Sequence, residues 1–365
     1  MSKQSYLVLA DGSIYEGTTF GAETTSFGEV VFNTSMIGYQ EILTDPSYSG
    51  QIVVPTFPLI GNYGINTGDI ESGRIQVRGF VVREECLSPS HYLSEGTLHN
   101  YLAEAGIPGI SGVDTRAITR KLRSAGVMMG VITATMSPEQ ALKSLQQQPD
   151  YGSFDFVREV STDKPYEWEP DDKLESQYHI VALDCGLKYN ILRLLRQRGC
   201  RLTAVPCTTS AVDILKMNPD GILLSPGPGD PKLLDYVVTT VRHLAGKKPI
   251  MGICLGCQLI SRAFGGETFK LKFGHRGGNH PVKEFATGRV HITAQNHGYA
   301  VDPDSLKDGL EVTHINLNDN TVEGVAHKEL PIFSVQYHSE DSPGPQDNRY
   351  LFDKFIEMIK KDKNG

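Results

Sequence analysis

Residues 249–260 read PIMGICLGCQLI, an apolar run that ends at a cysteine between two glycines and continues into a helical pattern. The run PIMGI predicts a buried strand, and the apolar spacing over 255–264 predicts a helix. Gly252 and Gly256 stand two residues before and after Cys254. This spacing is typical of a sharp strand-to-helix turn where the backbone crosses too closely for larger side chains.

The alternation of strand and helix extends upstream from this turn. Strand patterns occur at 179–184 (HIVALD), 201–206, 221–225 and 249–253, and helical patterns at 188–198, 210–217, 231–245 and 255–264. Strands spaced about 20–30 residues apart predict right-handed β-α-β units. We therefore predict an α/β domain with a mostly parallel sheet flanked by helices. Ligands bind beyond the carboxyl ends of such strands, which points to the turn after Asp184, the loop at 225–230 and Cys254.

Cys254 has the position of a nucleophile. A helix that begins behind the cysteine places partial positive charge near the sulfur and favours a thiolate. The backbone N–H of Leu255 would point at an oxyanion that develops during attack. A buried structural cysteine in a glycine-containing turn is the alternative, so the pattern needs catalytic partners.

The segment FSVQYHSED supplies candidate partners. Residues 332–337 predict a buried strand that ends at His338, and Glu340 follows two residues later. A cysteine nucleophile needs a base, and the base needs an acceptor on its other ring nitrogen. The chain has eleven histidines, and most histidines in proteins are structural, but His338 combines a strand end with an adjacent acid.

The loop SPGPGDP follows another predicted strand. Gly227 and Gly229 would let backbone N–H groups approach a substrate oxygen closely. The spacing of a phosphate-binding P-loop is absent, and in isolation a Pro/Gly sequence of this kind is a simple turn.

Composition restricts the class of protein. The chain has 365 residues, a net charge of −8 and six cysteines. An acidic chain is not expected to bind nucleic acid by phosphate neutralisation, and so few cysteines do not form a secreted disulfide framework. No apolar run reaches the ~18–20 residues of a membrane span, and no signal peptide is evident. We expect a soluble, cytoplasmic protein, and because no second Cys-x-x-Cys or histidine pair has ligand spacing, no metal site.

The first half of the chain has a different pattern. Residues 1–150 predict mainly strands, among them a hairpin with Asp11-Gly12 as a two-residue turn, and helices at 97–105, 114–124 and 138–147. We interpret 1–150 as a strand-rich α+β domain. Residues 151–178 are acidic and lack a sustained period, which indicates a linker with Trp168 as an anchor. Residues 179–365 form the α/β domain.

These motifs together resemble a known family. GICLGCQ, SPGPGDP and QYHSE resemble the triad-type (class I) glutamine amidotransferases. FNTSMIGYQEILTDPSYS, GVDTRAITRKLR, KFGHRGGNHPV and TAQNHGYAV narrow the resemblance to the small, glutamine-hydrolysing subunits of carbamoyl phosphate synthetase. The resemblance covers nearly the whole chain. The N-terminal half distinguishes this subunit family from other class I amidotransferases, because the others lack it.

The resemblance implies a role for each matching residue. Cys254 would attack the glutamine carboxamide, His338 would transfer protons, and Glu340 would orient His338. Backbone at Leu255 and at Gly227 and Gly229 would hold the oxyanion. The residues implied in binding glutamine, with Lys188 as a supporting residue nearby, are Ser47, Gln258, Asn296, Gly298 and Tyr299. Because Ser47 lies in the N-terminal domain, the resemblance places the pocket between the domains.

The resemblance also implies a partner. Released ammonia is mostly protonated in neutral water and then loses its nucleophilicity, so it must pass to a synthase through a shielded path. That partner would be a large subunit of ATP-grasp type, forming a heterodimer or a higher oligomer. It would use ATP, Mg²⁺ and bicarbonate to make carbamoyl phosphate for arginine and pyrimidine synthesis, while this chain holds no cofactor.

Two positions depart from the family pattern. Cys257 stands where histidine is usual, and Ser339 where proline is usual, which would loosen the geometry between His338 and Glu340. Cys254 and Cys257 form a Cys-x-x-Cys motif that is typical of redox proteins. A redox or regulatory binding protein, and a glutaminase that serves another synthase, are therefore alternatives.

Overall fold

The structure, a computed structural model, describes residues 3–168 and 175–364. The chain divides into two compact units, residues 1–154 and 155–365. In the described part of the chain, none of the helices combines the length and the apolar character needed to cross a membrane.

Unit 1 is a closed seven-stranded barrel with the strand order β1-β2-β8-β6-β4-β3-β9. The strands are β1 Gln4–Leu9, β2 Ile14–Gly21, β3 Thr25–Asn33, β4 Gln51–Pro55, β6 Gly79–Val81, β8 Pro108–Ser111 and β9 Met128–Thr133. A separate pair consists of β5 Leu59–Ile60 and β7 Glu84–Glu85. The helices are α1 Tyr39–Thr44, α2 Leu98–Glu104, α3 Thr115–Ala125 and α4 Pro138–Leu145.

Local sequence signals in unit 1 are largely confirmed. The Asp114 carboxylate caps α3 by accepting the Ala117 N–H at 2.9 Å, and Ser137 and Gln140 form the capping box of α4. The β1–β2 hairpin is present, but its predicted two-residue turn is wrong. The connection runs from Ala10 to Ser13, closed by Leu9 N–H on the Ser13 carbonyl at 2.9 Å.

Unit 2 is built on a ten-stranded sheet with the order β10-β12-β11-β13-β14-β19-β18-β17-β15-β16. Its strands are β10 Tyr166–Glu167, β11 Tyr178–Asp184, β12 Cys200–Pro206, β13 Gly221–Leu224, β14 Ile250–Ile253, β15 Thr268–Glu284, β16 Val290–Val301, β17 Leu310–Asn316, β18 Val322–His327 and β19 Ile332–Val335. The helices are α5 Val157–Val160, α6 Tyr189–Arg196, α7 Ala211–Lys216, α8 Asp235–Leu244, α9 Leu255–Ala263 and α10 Tyr350–Asn364.

The two faces of this sheet carry separate apolar cores. Val181 and Leu183 of β11 pack with α7, α8 and α9, whereas Ile180 and Ala182 pack with α6 and α10. Alternate side chains of a strand point to opposite faces, so the helices cover both sides. The predicted α/β class with flanking helices is confirmed. Strands β12, β11, β13, β14 and β19 are parallel neighbours, and the remaining pairings are antiparallel. The sheet is therefore mixed, and the predicted predominance of parallel strands holds only for these five.

Part of the acidic stretch 151–178 packs on the edge of this sheet. Strand β10 pairs with β12, and the Trp168 ring lies 4.9 Å from that of Tyr189. The rest of the stretch, 169–174, lies outside the described residues.

Candidate active site

The turn between β14 and α9 has the geometry that its glycines predict. Cys254 adopts φ 53° and ψ −105° as the N-cap of α9, a conformation that a non-glycine residue holds only when its surroundings enforce it. A Cβ on Gly252 would lie 2.8 Å from the backbone of Gly256, and a Cβ on Gly256 would collide with the Leu224 carbonyl. Both glycines are therefore required by close backbone packing.

The Cys254 side chain is buried, with 2% of the residue exposed. Its sulfur lies 3.7 Å from the Asn296 carbonyl, to which the thiol can donate, and accepts from Gln336 Nε2 at 3.6 Å. The Cys254 N–H donates to the Val335 carbonyl of the adjacent strand β19 at 2.8 Å. Strand β19 and the β16 segment around Asn296 thus fix the cysteine from two sides.

His338 and Glu340, two residues apart in the sequence, lie in contact in the structure. His338 Nδ1 lies 2.6 Å from Glu340 Oε1, and both residues are buried. The His338 N–H donates to the Ala294 carbonyl at 2.9 Å, which holds the residue against β16. No nitrogen or oxygen atom of the described residues forms a hydrogen bond with Nε2 of His338, and the Cys254 sulfur lies near enough to the ring to affect its pKa.

The electrostatics of this pair favour charge on both members. Burial opposes protonation of His338, but the Glu340 carboxylate and the nearby Cys254 sulfur outweigh it and raise the pKa of the imidazole. Burial likewise opposes ionisation of Glu340, but Lys188 and His338 hold the pKa of its carboxyl well below the ordinary value. Both pKa shifts therefore favour an ionised Glu340 beside a protonated His338.

Lys188 completes this charge network. Its Nζ lies 3.0 Å from Glu340 Oε1 and donates to the carbonyls of Asp341 and Ser342 at 3.0 and 2.8 Å. The residue is 2% exposed. It follows the β11–α6 turn, where the Asp184 carboxylate accepts the N–H groups of residues 186 and 187. The turn after Asp184 thus supplies a cation to the Glu340 carboxylate.

The candidate glutamine-binding residues Gln258, Gly298 and Tyr299 lie on α9 and β16, the elements that also hold Cys254. The Gln258 side chain, on the first turns of α9, donates to the Tyr299 carbonyl at 2.9 Å and to Gln336 at 3.1 Å. Gly298 lies between Asn296 and Tyr299 on β16.

The loop after β13 approaches the β14–α9 turn at Cys254, which we call the elbow, from another side. A Cβ on Gly227 would lie 2.7 Å from the Leu255 side chain, and Gly229 has a left-handed φ of 88°. Gly227 therefore reaches the elbow itself, and Gly229 turns the chain two residues later.

Ser47 lies in unit 1, in a short 3₁₀ helix at 46–48. It is buried, and its N–H donates to the Asp45 carboxylate at 2.9 Å. Its hydroxyl has no hydrogen-bond partner among the described residues.

Comparison with known proteins assigns both units. Residues 181–358 match the family Glutamine amidotransferase class-I, and residues 7–132 match the family Carbamoyl-phosphate synthase small chain, CPSase domain. The carbamoyl phosphate synthase small chain of Syntrophotalea carbinolica is 52% identical over 373 residues, covering 99% of each chain. Those of Akkermansia muciniphila and Aquifex aeolicus are 53% and 51% identical, covering 99% and 98% of this chain and 98% and 99% of the relative.

The chain belongs to the carbamoyl phosphate synthase small chain family. The predicted resemblance is therefore confirmed.

One residue at the site, Gln336, was not predicted from the sequence. Gln336 is fully buried, bonds Cys254 through Nε2 and accepts from Gln258 through Oε1. It stands two residues before His338, and alternate residues of an extended strand share a face. That spacing is the signal that could have found it.

The surroundings of the Cys-x-x-Cys motif disfavour a disulfide between its two cysteines. All six cysteines are free. Cys257 belongs to the apolar cluster on the α7–α9 face of the sheet, and Cys254 to the cluster on the opposite face. Burial raises the pKa of the Cys257 thiol to about 12, and a protonated, buried thiol is a poor nucleophile for disulfide exchange.

Proposed function

We propose that this chain is the glutamine-hydrolysing subunit of a carbamoyl phosphate synthase. It converts L-glutamine to glutamate and ammonia through a thioester on Cys254. The observation that carries the proposal is the buried arrangement of Cys254, His338 and Glu340 in a chain of this family. The cysteine stands at a helix N-terminus, and the imidazole is oriented through one nitrogen with the other available for proton transfer.

In the first half-reaction, the Cys254 sulfur attacks the carboxamide carbon of glutamine, and the carbonyl oxygen gains negative charge. The Leu255 N–H at the start of α9 and backbone N–H groups of the Gly227–Gly229 loop stabilise this oxyanion. His338 gives its proton to the leaving nitrogen, the carbon–nitrogen bond breaks, and ammonia departs. The product left on the enzyme is a γ-glutamyl thioester.

In the second half-reaction, neutral His338 takes a proton from water, and the resulting hydroxide attacks the thioester. The carbon–sulfur bond breaks, glutamate leaves, and the Cys254 thiolate is restored beside the imidazolium. Glu340 orients His338 throughout, and Lys188 holds Glu340 ionised and in place.

The two charged ends of glutamine need polar partners. We assign the α-carboxylate and α-amino groups to Ser47, Asn296, Gly298 and Tyr299. Gln258 supports them from the elbow helix and contacts the substrate. The family membership supports this assignment, together with the contacts that hold Asn296 and Tyr299 beside the elbow.

The ammonia is used by a partner. We propose that it passes through a shielded path to a large subunit of ATP-grasp type. That subunit uses ATP, Mg²⁺ and bicarbonate to make carbamoyl phosphate, for arginine and pyrimidine synthesis. No cofactor is assigned to this chain.

Affinity purification of the full chain from its own cells tests the partnership. We expect an ATP-grasp protein to co-purify, to stimulate glutamine hydrolysis, and to form carbamoyl phosphate from glutamine, bicarbonate and ATP. If a different synthase stimulates glutamine hydrolysis instead, this chain serves that synthase and the assignment to carbamoyl phosphate synthesis is wrong. An inability to release ammonia from glutamine with any partner would refute the hydrolase itself.

Replacing Gln336 with glutamate is expected to lower glutamine hydrolysis roughly tenfold to a hundredfold. The new carboxylate would lie near the Cys254 sulfur, and the repulsion between the two negative charges would oppose attack by the sulfur; each tenfold loss of rate corresponds to about 1.4 kcal/mol. Gln336→Met, of similar size and uncharged, is the matched control in steady-state ammonia release. Equal losses in both variants would show that packing, not charge, is what Gln336 supplies.

Replacing Cys257 with serine is expected to change hydrolysis by less than about threefold, because this side chain lies in the other apolar cluster and takes no part in the proposed chemistry. Mild peroxide treatment followed by peptide mass spectrometry is the companion measurement. A large loss of activity in Cys257→Ser, or a Cys254–Cys257 disulfide in the oxidised wild type, would favour the redox alternative.

A further inference from the structure

A second cluster of chemically active side chains lies in unit 2. His275 of β15, His297 of β16 and Glu323 of β18 are buried and offer ligand atoms that all lie within 4.8 Å of one another. Glu323 Oε1 lies 3.5 Å from His275 Nδ1 and 3.9 Å from His297 Nε2. In the described part of the chain, neither of these two nitrogens has a hydrogen-bond partner.

The other nitrogen of each ring is held by an acceptor. His275 Nε2 lies 2.8 Å from Asp319 Oδ2, and His297 Nδ1 lies 2.8 Å from the Tyr299 carbonyl. A ring that donates from one nitrogen presents a lone pair on the other, which is the usual arrangement of metal-binding histidines. In the neutral tautomers that donate to these acceptors, Nδ1 of His275 and Nε2 of His297 both direct a lone pair to the cluster.

The carboxylate is oriented in the same way. Glu323 Oε1 accepts from Asn316 Nδ2 and Oε2 accepts from Gln295 Nε2, both at 2.9 Å. These bonds fix the plane of the carboxylate, and each oxygen keeps a further lone pair. The cluster has the donor set and the outer hydrogen bonds of a two-histidine, one-carboxylate site.

We propose that His275, His297 and Glu323 bind one divalent transition-metal ion of the Zn²⁺ class. Ligand atoms of a tetrahedral zinc site are about 3.4 Å apart for bonds of about 2.1 Å. The carboxylate oxygen lies 3.5 and 3.9 Å from the two ring nitrogens, and all the ligand atoms lie within 4.8 Å of one another, so the side chains would have to rotate inward to close the site around an ion. The spacing of cysteines and histidines along the chain predicts no metal site, because these three ligands come from three separate strands.

The site would act on the glutamine pocket through His297. This residue stands between Asn296, whose carbonyl faces the Cys254 sulfur, and Gly298. An ion that holds His297 would fix the β16 segment that carries the candidate glutamine-binding residues. Its role is structural, and metal binding does not depend on the proposed hydrolysis.

The alternative without a metal is a buried ion pair. Burial opposes protonation of His275, but Asp319 and Glu323 raise its pKa to about 9. A protonated His275 would then occupy the place of the cation between the two carboxylates. A metal and a proton on Nδ1 exclude one another, so metal stoichiometry separates the two states.

The experiment is zinc uptake by the full, tag-free chain. After exposure to Zn²⁺ and gel filtration, elemental analysis is expected to find about one zinc per chain in the wild type and in Cys254→Ser. A hundredfold excess of Zn²⁺ over its dissociation constant is expected to raise Tm by about 5–10 °C. Cobalt in place of zinc is expected to give the visible bands of a tetrahedral nitrogen–oxygen site without a thiolate charge-transfer band.

Variants locate the ion. Glu323→Gln and His297→Gln are expected to lose the retained zinc and the Tm shift, whereas His314→Gln is expected to keep both. His314 is a matched control because it is equally buried and lies 3.8 Å from another carboxylate, that of Glu284. If Glu323→Gln or His297→Gln fails to fold, the zinc content of His275→Gln and of the wild type still tests the proposed site. The proposal is overturned if the wild type retains no zinc, if Glu323→Gln retains it, or if Cys254→Ser loses it.

Discussion

Replacing Cys254 with serine is expected to reduce glutamine hydrolysis by at least about 10³–10⁴-fold. Serine preserves the size of the side chain, but its hydroxyl ionises far less readily than a thiol, and His338 cannot generate an alkoxide efficiently. Loss of a nucleophile removes the covalent path and leaves only the contributions of binding and the oxyanion site. Steady-state ammonia release from glutamine, with the partner subunit present, is the measurement.

Two controls make this result specific. Cys257→Ser changes the neighbouring cysteine in the same motif and is expected to retain activity. Synthesis of carbamoyl phosphate from added ammonia is expected to persist with the Cys254→Ser chain, because ammonia bypasses the thioester. Retention of more than about a tenth of the hydrolysis rate in Cys254→Ser would contradict the nucleophile assignment.

Replacing Glu340 with glutamine is expected to impair both activity and stability. The amide cannot stabilise the imidazolium as a carboxylate does, and loss of the orienting acid of a triad lowers turnover by as much as ~10⁴-fold. Lys188 would also remain buried without its carboxylate, and breaking a buried ion pair costs about 3–5 kcal/mol. Denaturant unfolding and ammonia release measure the two effects separately.

The double variant Lys188→Met/Glu340→Gln separates charge burial from catalysis. Removing both charges takes away the uncompensated ammonium, so the double variant is expected to be more stable than Glu340→Gln alone. Its activity is expected to stay low, because the imidazole still lacks its acid. If the stabilities of the single and double variants are the same, the 3.0 Å contact between Lys188 and Glu340 does not carry the assigned energy.

Local patterns were sufficient to predict the elements that carry the site. Gly252 and Gly256 mark the turn because a side chain at either position would collide with backbone. His338 and Glu340 could be paired because His338 stands at a predicted strand end and Glu340 follows two residues later. Short-range signals of this kind depend on neighbouring residues alone, so the sequence displays them directly.

Features that depend on distant parts of the chain could not be predicted in this way. The barrel of unit 1 closes where β9 pairs with both β1 and β3, and the strand patterns do not encode which strands pair. The contact of Lys188 with Glu340 joins two loops that only the completed sheet brings together. The His275, His297 and Glu323 cluster likewise comes from three strands, and no local spacing connects them.

The central claim is that glutamine hydrolysis passes through a thioester on Cys254. Acid quench of the working complex during turnover of glutamine, followed by peptide mass spectrometry, tests it most directly. We predict one γ-glutamyl group on the peptide containing Cys254, at that residue and not at Cys257, and its absence in Cys254→Ser. Rapid turnover without any acylated Cys254, under conditions where ammonia release is fast relative to glutamate release, would contradict the account.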